Sequence, residues 1–340
     1  MLNKLNKPFL IAELSANHDG KLNNAIKLIK YAKKFGADAV KLQTYTPDWM
    51  TLKSKKKYFK IKKGLWAGYT LWDLYNKGKT PIEWHHKLFK LAKDLKIKIF
   101  STPFDKKAVD ILEDLNCKIY KISSFEINDI ELIRYVAKTK KPMIISTGMA
   151  DLEEIDLAYR TAKKNGCNDI SLLYCVSSYP SKINEFNLNN IKILKKRYNC
   201  EVGLSDHSNN KIIPAISAGF GAKIFEKHIA IPGLKKSLDY EFSLKGKEIN
   251  EYKKLITDAA LVTKNSNFTR IKSELGNRRF RRSIFSTRKI RKGEKFTEEN
   301  IKIIRPGHGI DPKYFKNLIG KISKNNYSDS VPLKKKEIIK

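Results

Sequence analysis

The stretch EVGLSDHS, residues 201–208, decides the fold, because in it a short apolar run ends on a polar tip that carries His207. The same pattern returns in AKIFEKH, residues 222–228, whose tip carries His228, after a segment of helix length. Strand, polar tip and helix form the repeating unit of α/β folds, and in a barrel the tips converge on one mouth. Two neutral imidazoles on adjacent tips are able to share a metal ion. The alternative is a loop histidine and a core histidine that have no common role.

The same unit recurs along the rest of the chain. Further apolar runs that end on polar residues are PFLIAEL (8–14), ADAVKLQTYTP (37–47), IKIFSTPFD (97–105), KIYKISSFE (118–126), PMIISTGMA (142–150) and ISLLYCVSSYP (170–180). Segments with helical spacing, such as ELIRYVAKTK (131–140), lie between them. Eight repeats at a spacing of about 20 to 30 residues favour a closed (β/α)8 TIM barrel over an open doubly wound sheet.

One interval between a strand and its helix is longer than the others. Residues 45–80 contain a basic run, KSKKKYFKIKK, and the segment GLWAGYTLWDLYNKGKT before the next predicted helix begins. The basic run is interpreted as a solvated loop. Because the insertion leaves from the mouth side of the barrel, we expect it to act as a lid or as a wall that contacts the substrate.

The sequence changes character after the last predicted barrel helix, GKEINEYKKLITDAALVTK (246–264). A polar linker follows, and from Arg281 onward short strands and turns alternate. We therefore predict a barrel domain at residues 1–265, a linker at 266–280 and a small second domain at 281–340. A domain of that size buries little core by itself, so we expect it to dock on another surface.

Charge and composition exclude several classes of protein. The net charge of +34 taken alone is typical of a nucleic-acid binder. Lysine is spread over nearly every predicted helix face, however, so we expect no nucleic-acid partner and a field that suits an anionic small substrate. No apolar run approaches the roughly 20 residues of a membrane span, and the N-terminus has no cleavable signal pattern. We expect a soluble, cytoplasmic chain that does not bind membranes.

The cysteines do not indicate a disulfide framework or a zinc knuckle. Cys117, Cys167, Cys175 and Cys200 lie far apart and form no CxxC pair. We expect them to be reduced residues of the core.

The residues at the predicted strand tips carry the chemistry. They are Glu13, Lys41, Gln43, Thr102, Lys121, Ser124, Ser146, Tyr179, Ser205, His207, Glu226 and His228. Charged residues at the ends of buried parallel strands are costly unless they face the open mouth. Lysines with serine and threonine hydroxyls suit a phosphate or carboxylate, and two histidines with oxygen donors suit a divalent Mn, Mg, Co or Zn ion. The glutamates are candidate acid/base or substrate-binding groups. In so lysine-rich a chain, the alternative for Lys41 and Lys121 is a surface position.

The tips match a known family in order along the chain. The motifs ELSANH (13–18), KLQTYTP (41–47), STPF (101–104), YKISSFE (120–126), STGM (146–149), CVSSYP (175–180), GLSDHS (203–208) and FEKH (225–228) resemble the sialic acid synthase family. RPGHGI (305–310) resembles part of the family's C-terminal antifreeze-like (SAF) domain. Within the family, GLW (64–66), LYNKGKTPIEWH (74–85) and the ELSANH form are more similar to the pseudaminic acid branch than to the N-acetylneuraminic acid branch.

The resemblance implies condensation of phosphoenolpyruvate with the open-chain aldehyde of an acetamido trideoxy hexose, giving a nonulosonic acid and phosphate. It implies phosphoenolpyruvate-binding roles for Lys41, Thr102, Lys121, Ser124, Ser146 and Ser205, and sugar-binding roles for Glu13, Gln43, Tyr179 and Asp239. His207 and His228 match ligands of a divalent Mn, Mg or Co ion. Ser177 stands where sialic acid synthases have asparagine, which is consistent with a changed sugar. The family also implies a domain-swapped homodimer, in which Arg305 and an aromatic near Phe280 reach the partner's barrel.

Other functions remain open at this stage. Closely related aminosugars would make the chain an N-acetylneuraminic or legionaminic acid synthase. A synthase that uses a phosphorylated sugar is disfavoured because no second phosphate cluster is evident. A carbohydrate- or ice-binding module is suggested only by the C-terminal segment, and that hypothesis leaves the polar strand tips unexplained.

Overall fold

A closed parallel barrel makes up the first of two compact units. The computed structural model describes residues 5–264 and 267–338, and the chain divides into units of residues 1–264 and 265–340. Within residues 5–264, eight parallel strands surround the barrel axis, and the first strand pairs with the eighth. The strands are β1 (Phe9–Glu13), β2 (Ala39–Thr44), β3 (Lys98–Pro103), β4 (Tyr120–Ile122), β5 (Met143–Ser146), β6 (Ile170–Cys175), β7 (Val202–Asp206) and β8 (Ile224–Ala230). The predicted (β/α)8 barrel is confirmed.

Each of the first seven barrel strands is followed by at least one helix before the next strand begins, and the eighth is followed by a short strand and then a helix. The helices of this unit are α1 (Leu22–Lys34), α2 (Pro47–Met50), α3 (Leu71–Gly78), α4 (His85–Asp94), α5 (Lys106–Asp114), α6 (Ile130–Lys138), α7 (Leu152–Lys164), α8 (Asn189–Tyr198), α9 (Ile212–Gly219) and α10 (Glu248–Val262). Their apolar residues recur at helical spacing, so that one face packs on the barrel, as Leu132, Ile133 and Val136 do in α6. Among the described residues, no helix is both long and apolar enough to cross a membrane.

The predicted insertion lies where the sequence places it, between β2 and the helix α4. It contains α2, α3 and single 3-10 turns at Lys57–Phe59 and Ile82–Trp84. The Thr70 hydroxyl caps α3 by accepting from the Asp73 amide at 3.1 Å. A short strand β9 (Leu244–Lys245) pairs with the end of β8 and extends the sheet past the barrel mouth.

The second unit has its own small core. It contains α11 (Lys272–Leu275), β10 (Ser283–Ser286), β11 (Ile301–Ile304) and α12 (Phe315–Leu318), and the two strands pair antiparallel. Its buried apolar residues are Ile284, Ile290, Phe296, Ile301, Ile310, Leu318, Tyr327 and Leu333. The described part of the predicted linker includes α11 and a 3-10 helix at Gly276–Phe280.

Gly203 permits the close approach of β7 and β8 that positions the two histidine-bearing tips. A Cβ atom added to Gly203 would lie 1.9 Å from the Ile224 carbonyl oxygen and 2.7 Å from Leu173 Cδ2. The nearest obstacle is backbone, so the strands themselves would have to move apart.

We predict that Gly203→Ala lowers the free energy of unfolding by at least about 2 kcal/mol, since overpacking of a core costs on the order of 1 to 3 kcal/mol. Gly219→Ala is the matched control, because its added Cβ would meet only Thr263 Cγ2 at 3.5 Å, an ordinary contact. Urea denaturation measures both variants. Equal stability of the two would contradict this account of β7 and β8.

Candidate active site

The carboxyl ends of the barrel strands open into a cavity of about 460 Å³, a size suited to small ligands. Predicted residues that line it are Lys41, Gln43, Lys121, Ser124, Ser146, Tyr179, Ser205, His207, Glu226, His228 and Asp239. The insertion supplies an apolar wall that includes Met50, Ile61, Trp66, Leu71 and Leu74. The mouth therefore joins charged strand tips to an apolar surface.

Lys41 is buried and held by two carboxylates. The β1–β2 register places Glu13 opposite Lys41, and Lys41 Nζ lies 2.7 Å from Glu13 Oε2. The same ammonium lies 3.5 Å from Glu226 Oε2 and 3.0 Å from the Thr102 hydroxyl. Burial alone would lower the pKa of Lys41, but Glu13 and Glu226 outweigh it and raise that pKa. Lys41 is thus a fixed cation in the barrel interior and not a surface residue.

Lys121 is the second buried ammonium, and it is less well compensated. Its Nζ lies 3.7 Å from Glu226 Oε1, which also accepts from the Ser205 hydroxyl at 3.2 Å. Burial lowers the pKa of Lys121, and the attraction of Glu226 offsets this only in part. Burial would raise the pKa of Glu226, yet Lys121 and Lys41 outweigh it and lower that pKa to about 2. An anionic ligand beside Lys121 would supply the missing negative charge.

The loop after β5 brings hydroxyl and amide donors to the same place. The Gly148 amide donates to Ser124 Oγ at 3.1 Å, and a Cβ on Gly148 would lie 2.2 Å from Ser177 Oγ. The absence of a side chain at Gly148 lets the Ser177 and Ser124 hydroxyls lie close to this backbone. Among the described residues at this mouth, Ser146 Oγ is buried without a hydrogen-bond partner, whereas Glu226 Oε2 faces the Lys41 ammonium at 3.5 Å. Buried polar atoms that lack a protein partner in a cavity are candidates to bind ligand.

The two histidines lie side by side, with ring centroids 5.4 Å apart. His207 Nδ1 is 3.1 Å from the Val176 carbonyl oxygen. A carbonyl only accepts, so Nδ1 carries the hydrogen and Nε2 of the neutral ring keeps its lone pair. Among the described residues, His228 Nδ1 is buried without a hydrogen-bond partner, although Asp239 Oδ2 lies 3.5 Å away.

These donors fit a labile divalent ion. Across residues 5–264 and 267–338, no three His, Cys, Asp or Glu side chains form a ready-made metal cage. An ion at this mouth would therefore take the two imidazoles from the protein, and other positions would be left for water or substrate oxygens. The open positions and mixed nitrogen and oxygen donors are typical of a Lewis-acid site.

Aromatic side chains connect the insertion to the histidines. Trp66 lies 5.3 Å from Tyr179, and Tyr179 lies 4.4 Å from His207, measured between ring centroids. The Trp66 indole nitrogen also donates to the Leu238 carbonyl oxygen at 3.1 Å. The insertion is therefore packed on the side of the mouth where the histidines lie, as its predicted role as a wall requires.

The remaining predicted residues lie around the cavity or outside it. Glu13 and Thr102 contact Lys41 without lining the cavity themselves. Ser177 lies beside Gly148 and Cys175. Arg305 belongs to the second unit, where it is exposed directly after β11. Its expected role at a partner's barrel remains a prediction.

Sequence reasoning missed several residues of the cavity. Cys175 was expected in the core, and it is buried, but it lines the mouth with its Sγ 3.7 Å from His207 Nδ1. Glu126 also lines the cavity, accepts a hydrogen bond from the Ser123 hydroxyl, and has its pKa raised by burial. Its position at the end of the YKISSFE tip was the signal that could have found it.

Fold and site together define a (β/α)8-barrel enzyme whose strand tips place two buried lysines and two histidines at one cavity, followed by a small second domain. The chain belongs to the NeuB family, whose sequence profile matches residues 28–267. An SAF domain profile matches residues 281–336. The expected membership of the sialic acid synthase family is thereby confirmed.

Two named enzymes and one solved structure are similar to this chain over nearly its whole length. The chain is 44% identical to a pseudaminic acid synthase of Campylobacter jejuni, over 93% of this chain and 92% of the relative. It is 40% identical to a pseudaminic acid synthase of Helicobacter pylori, over 98% of both chains. Among solved structures, the spore coat polysaccharide biosynthesis protein SpsE of Bacillus subtilis matches with a TM-score of 0.67 and 31% identity, over 99% of this chain and 97% of that one.

We predict that Lys121→Met weakens the binding of phosphoenolpyruvate at least tenfold, because a hydrogen bond to a charged group contributes about 1.5 to 3 kcal/mol. Lys141→Met is the matched control, since Lys141 pairs with Glu113 at 2.6 Å on the outer surface of the barrel. Isothermal titration calorimetry of both variants in chelator-treated buffer measures the affinity. If Lys121→Met binds phosphoenolpyruvate as tightly as the control does, the anion site is assigned to the wrong residues.

Proposed function

We propose that this chain is a pseudaminic acid synthase. It would condense phosphoenolpyruvate with the open-chain aldehyde of 2,4-diacetamido-2,4,6-trideoxy-L-altrose, giving pseudaminic acid and phosphate. The observation that carries the proposal is the joint placement of two buried lysines and a histidine pair at one barrel mouth. Similarity to pseudaminic acid synthases over 93% of the chain supports the choice of sugar.

The reaction forms one carbon–carbon bond and one carbon–oxygen bond, the latter from water, and it breaks the carbon–oxygen bond to phosphate. The enol carbon of phosphoenolpyruvate bonds to the aldehyde carbon, and the aldehyde oxygen takes up a proton. Positive charge develops at the carbon that bears phosphate, and water adds to that carbon and loses a proton to give a hydroxyl. The bond from this carbon to the phosphate oxygen then breaks as the hydroxyl proton passes to the departing phosphate, leaving a ketone and inorganic phosphate. The protein therefore has to hold an anion, exclude bulk water and move protons.

Lys41 and Lys121 bind the phosphate and carboxylate groups in this proposal. Both lysine side chains are buried and held by carboxylates, so little reorganisation is needed when the anion enters. The hydroxyls of Ser124, Ser146 and Ser205 line the same cavity, and the Thr102 hydroxyl accepts from Lys41 Nζ at 3.0 Å. Directional hydroxyl donors fix the orientation of the substrate that the lysines attract.

His207 and His228 would hold the divalent ion, and Mn, Mg and Co remain the candidates. When bound there, such an ion polarises a carbonyl oxygen. The aromatic ring of Tyr179 packs on His207 and shields it from bulk water. In this proposal Asp239, at 3.5 Å from His228 Nδ1, orients the second imidazole.

Glu126 is the carboxylate best suited to move protons. It lines the cavity, and burial raises its pKa above the ordinary value of a glutamate, which favours proton uptake by this side chain. Glu226 faces both lysines and stays ionised. Glu13 pairs with Lys41 in the barrel interior and accepts from Gln43 Nε2 at 3.2 Å.

The apolar wall of the insertion supports a deoxy sugar. Ile61, Trp66, Leu71 and Leu74 face the same cavity as the charged tips. They offer apolar contact to the methyl groups of a trideoxy bis-acetamido hexose, while Gln43, Tyr179 and Asp239 offer polar contact to its hydroxyl and amide groups. A cytoplasmic location stays part of the proposal.

We predict that phosphate is released from phosphoenolpyruvate fastest with 2,4-diacetamido-2,4,6-trideoxy-L-altrose in the presence of manganese. The comparison sugars are N-acetylmannosamine and 2,4-diacetamido-2,4,6-trideoxy-D-mannose. Chelation of the metal, or His228→Ala, should reduce the rate at least a hundredfold. A preference for either comparison sugar would assign another branch of the family, and full activity in chelator would contradict the metal assignment.

We propose further that two chains form a domain-swapped homodimer in which Arg305 of one chain completes the barrel site of the other. The prediction is that Lys121→Ala and Arg305→Ala chains are each inactive alone. An equimolar mixture should recover up to about a quarter of wild-type activity, because about half of the dimers are mixed and each of these has one intact site of two. Native mass spectrometry establishes that mixed dimers are present. No recovery in such dimers would contradict the shared site.

A further inference from the structure

A buried polar cluster lies on the side of β7 and β8 opposite to the two histidines. Lys227 Nζ is 3.5 Å from Asp206 Oδ2 and donates to the Ser208 carbonyl oxygen. The Tyr252 hydroxyl donates to Asp206 Oδ2 at 3.0 Å, and Asp206 Oδ1 accepts from the Ser208 amide and hydroxyl at 2.8 and 2.7 Å. The Asp206, Lys227 and Ser208 side chains are nearly inaccessible to solvent. The hydroxyl and carboxylate groups of this cluster are therefore mutually satisfied.

The position of the cluster follows from strand geometry. Asp206 and Lys227 immediately precede His207 and His228, and the β7–β8 register pairs Asp206 with Lys227. Successive side chains of a strand point to opposite faces. The histidines face the mouth, so the ion pair faces outward, where Tyr252 of α10 meets it.

The same cluster also fixes the loop that follows His207. Ser208 donates two hydrogen bonds to Asp206 Oδ1, one from its amide and one from its hydroxyl. The His207 carbonyl oxygen accepts from the Ser181 amide at 3.1 Å. Ser181 follows the segment that carries Tyr179, whose ring packs on His207. Both main-chain neighbours of His207 are thus held in place.

Stability alone is a poor reason for such a cluster. The free energy lost when two charges are removed from water is about as large as the attraction between them. Apolar residues of the same volume often stabilise the folded state as well as a buried ion pair does, or better. A buried ion pair does specify register, because a slip by one residue moves every side chain to the opposite face. Here the register decides whether two imidazoles share one ion.

We propose that Asp206, Lys227 and Tyr252 are positioning residues that hold His207 and His228 at the separation required to bind one divalent ion. The inference rests on the metal-dependent function proposed above. It assigns the affinity for metal to side chains that do not touch the metal, and it leaves the anion site at Lys41 and Lys121 unaffected.

The test compares Tyr252→Phe and Lys227→Met with Lys211→Met. Lys211 pairs with Glu251 at 3.4 Å on the exposed face of the same region, which makes it a matched control for the loss of an ion pair. Electron paramagnetic resonance of free Mn²⁺ gives the metal affinity, calorimetry in chelator gives the phosphoenolpyruvate affinity, and thermal melting gives stability.

We expect the Mn²⁺ dissociation constant to rise about tenfold in Tyr252→Phe and up to a hundredfold in Lys227→Met, the range typical for residues around a metal site. Phosphoenolpyruvate affinity should stay within twofold of wild type, and Lys211→Met should change neither. If Lys227→Met does not fold, the Mn²⁺ affinity of Tyr252→Phe tests the inference by itself.

Unchanged Mn²⁺ affinity with reduced melting temperature, or an equal loss of Mn²⁺ and phosphoenolpyruvate affinity, would overturn the inference. Absence of Mn²⁺ binding by the wild-type chain would instead contradict the metal-dependent function itself.

Discussion

The ion pair between Lys41 and Glu13, buried where β1 and β2 end, is the interaction on which the rest of the site depends. An isolated ammonium in a barrel interior would lose its charge, and the carboxylates of Glu13 and Glu226 prevent this. Lys121 shares Glu226 and is left with less compensation. The protein thus holds two buried lysines inside the barrel, one paired firmly with carboxylates and one whose charged form an anionic ligand would stabilise.

Barrel closure places these groups in one layer. Glu13 lies opposite Lys41 in the β1–β2 register and opposite His228 in the β8–β1 register. Glu226 lies opposite Ser205 in the β7–β8 register. The anion site and the histidine pair are therefore neighbouring parts of one ring of strand ends. Gly203 and the Asp206–Lys227 pair matter because they fix the two strands that contribute the histidines.

Local patterns in the sequence were sufficient for much of this architecture. An apolar run that ends on polar residues predicts a strand and its tip, so Lys41, Lys121, His207 and His228 could be placed at one mouth before any contact was known. Glu126 stood in the same pattern, but the burial that shifts its pKa is a property of the folded barrel. Contacts such as Trp66 with Tyr179 join distant segments, and no periodicity encodes them. Cys175 was assigned to the core because a thiol in an apolar run gives no local sign that it faces a cavity.

The central claim is that the metal and the anion occupy adjacent places at one mouth. Anomalous scattering from a crystal soaked with Mn²⁺ and phosphoenolpyruvate tests it most directly. The account predicts a manganese peak within about 2.5 Å of a ring nitrogen of both His207 and His228. It also predicts that the phosphate and carboxylate groups lie against Lys41 and Lys121. A manganese peak away from the histidine pair, or phosphoenolpyruvate bound outside the barrel mouth, would contradict it.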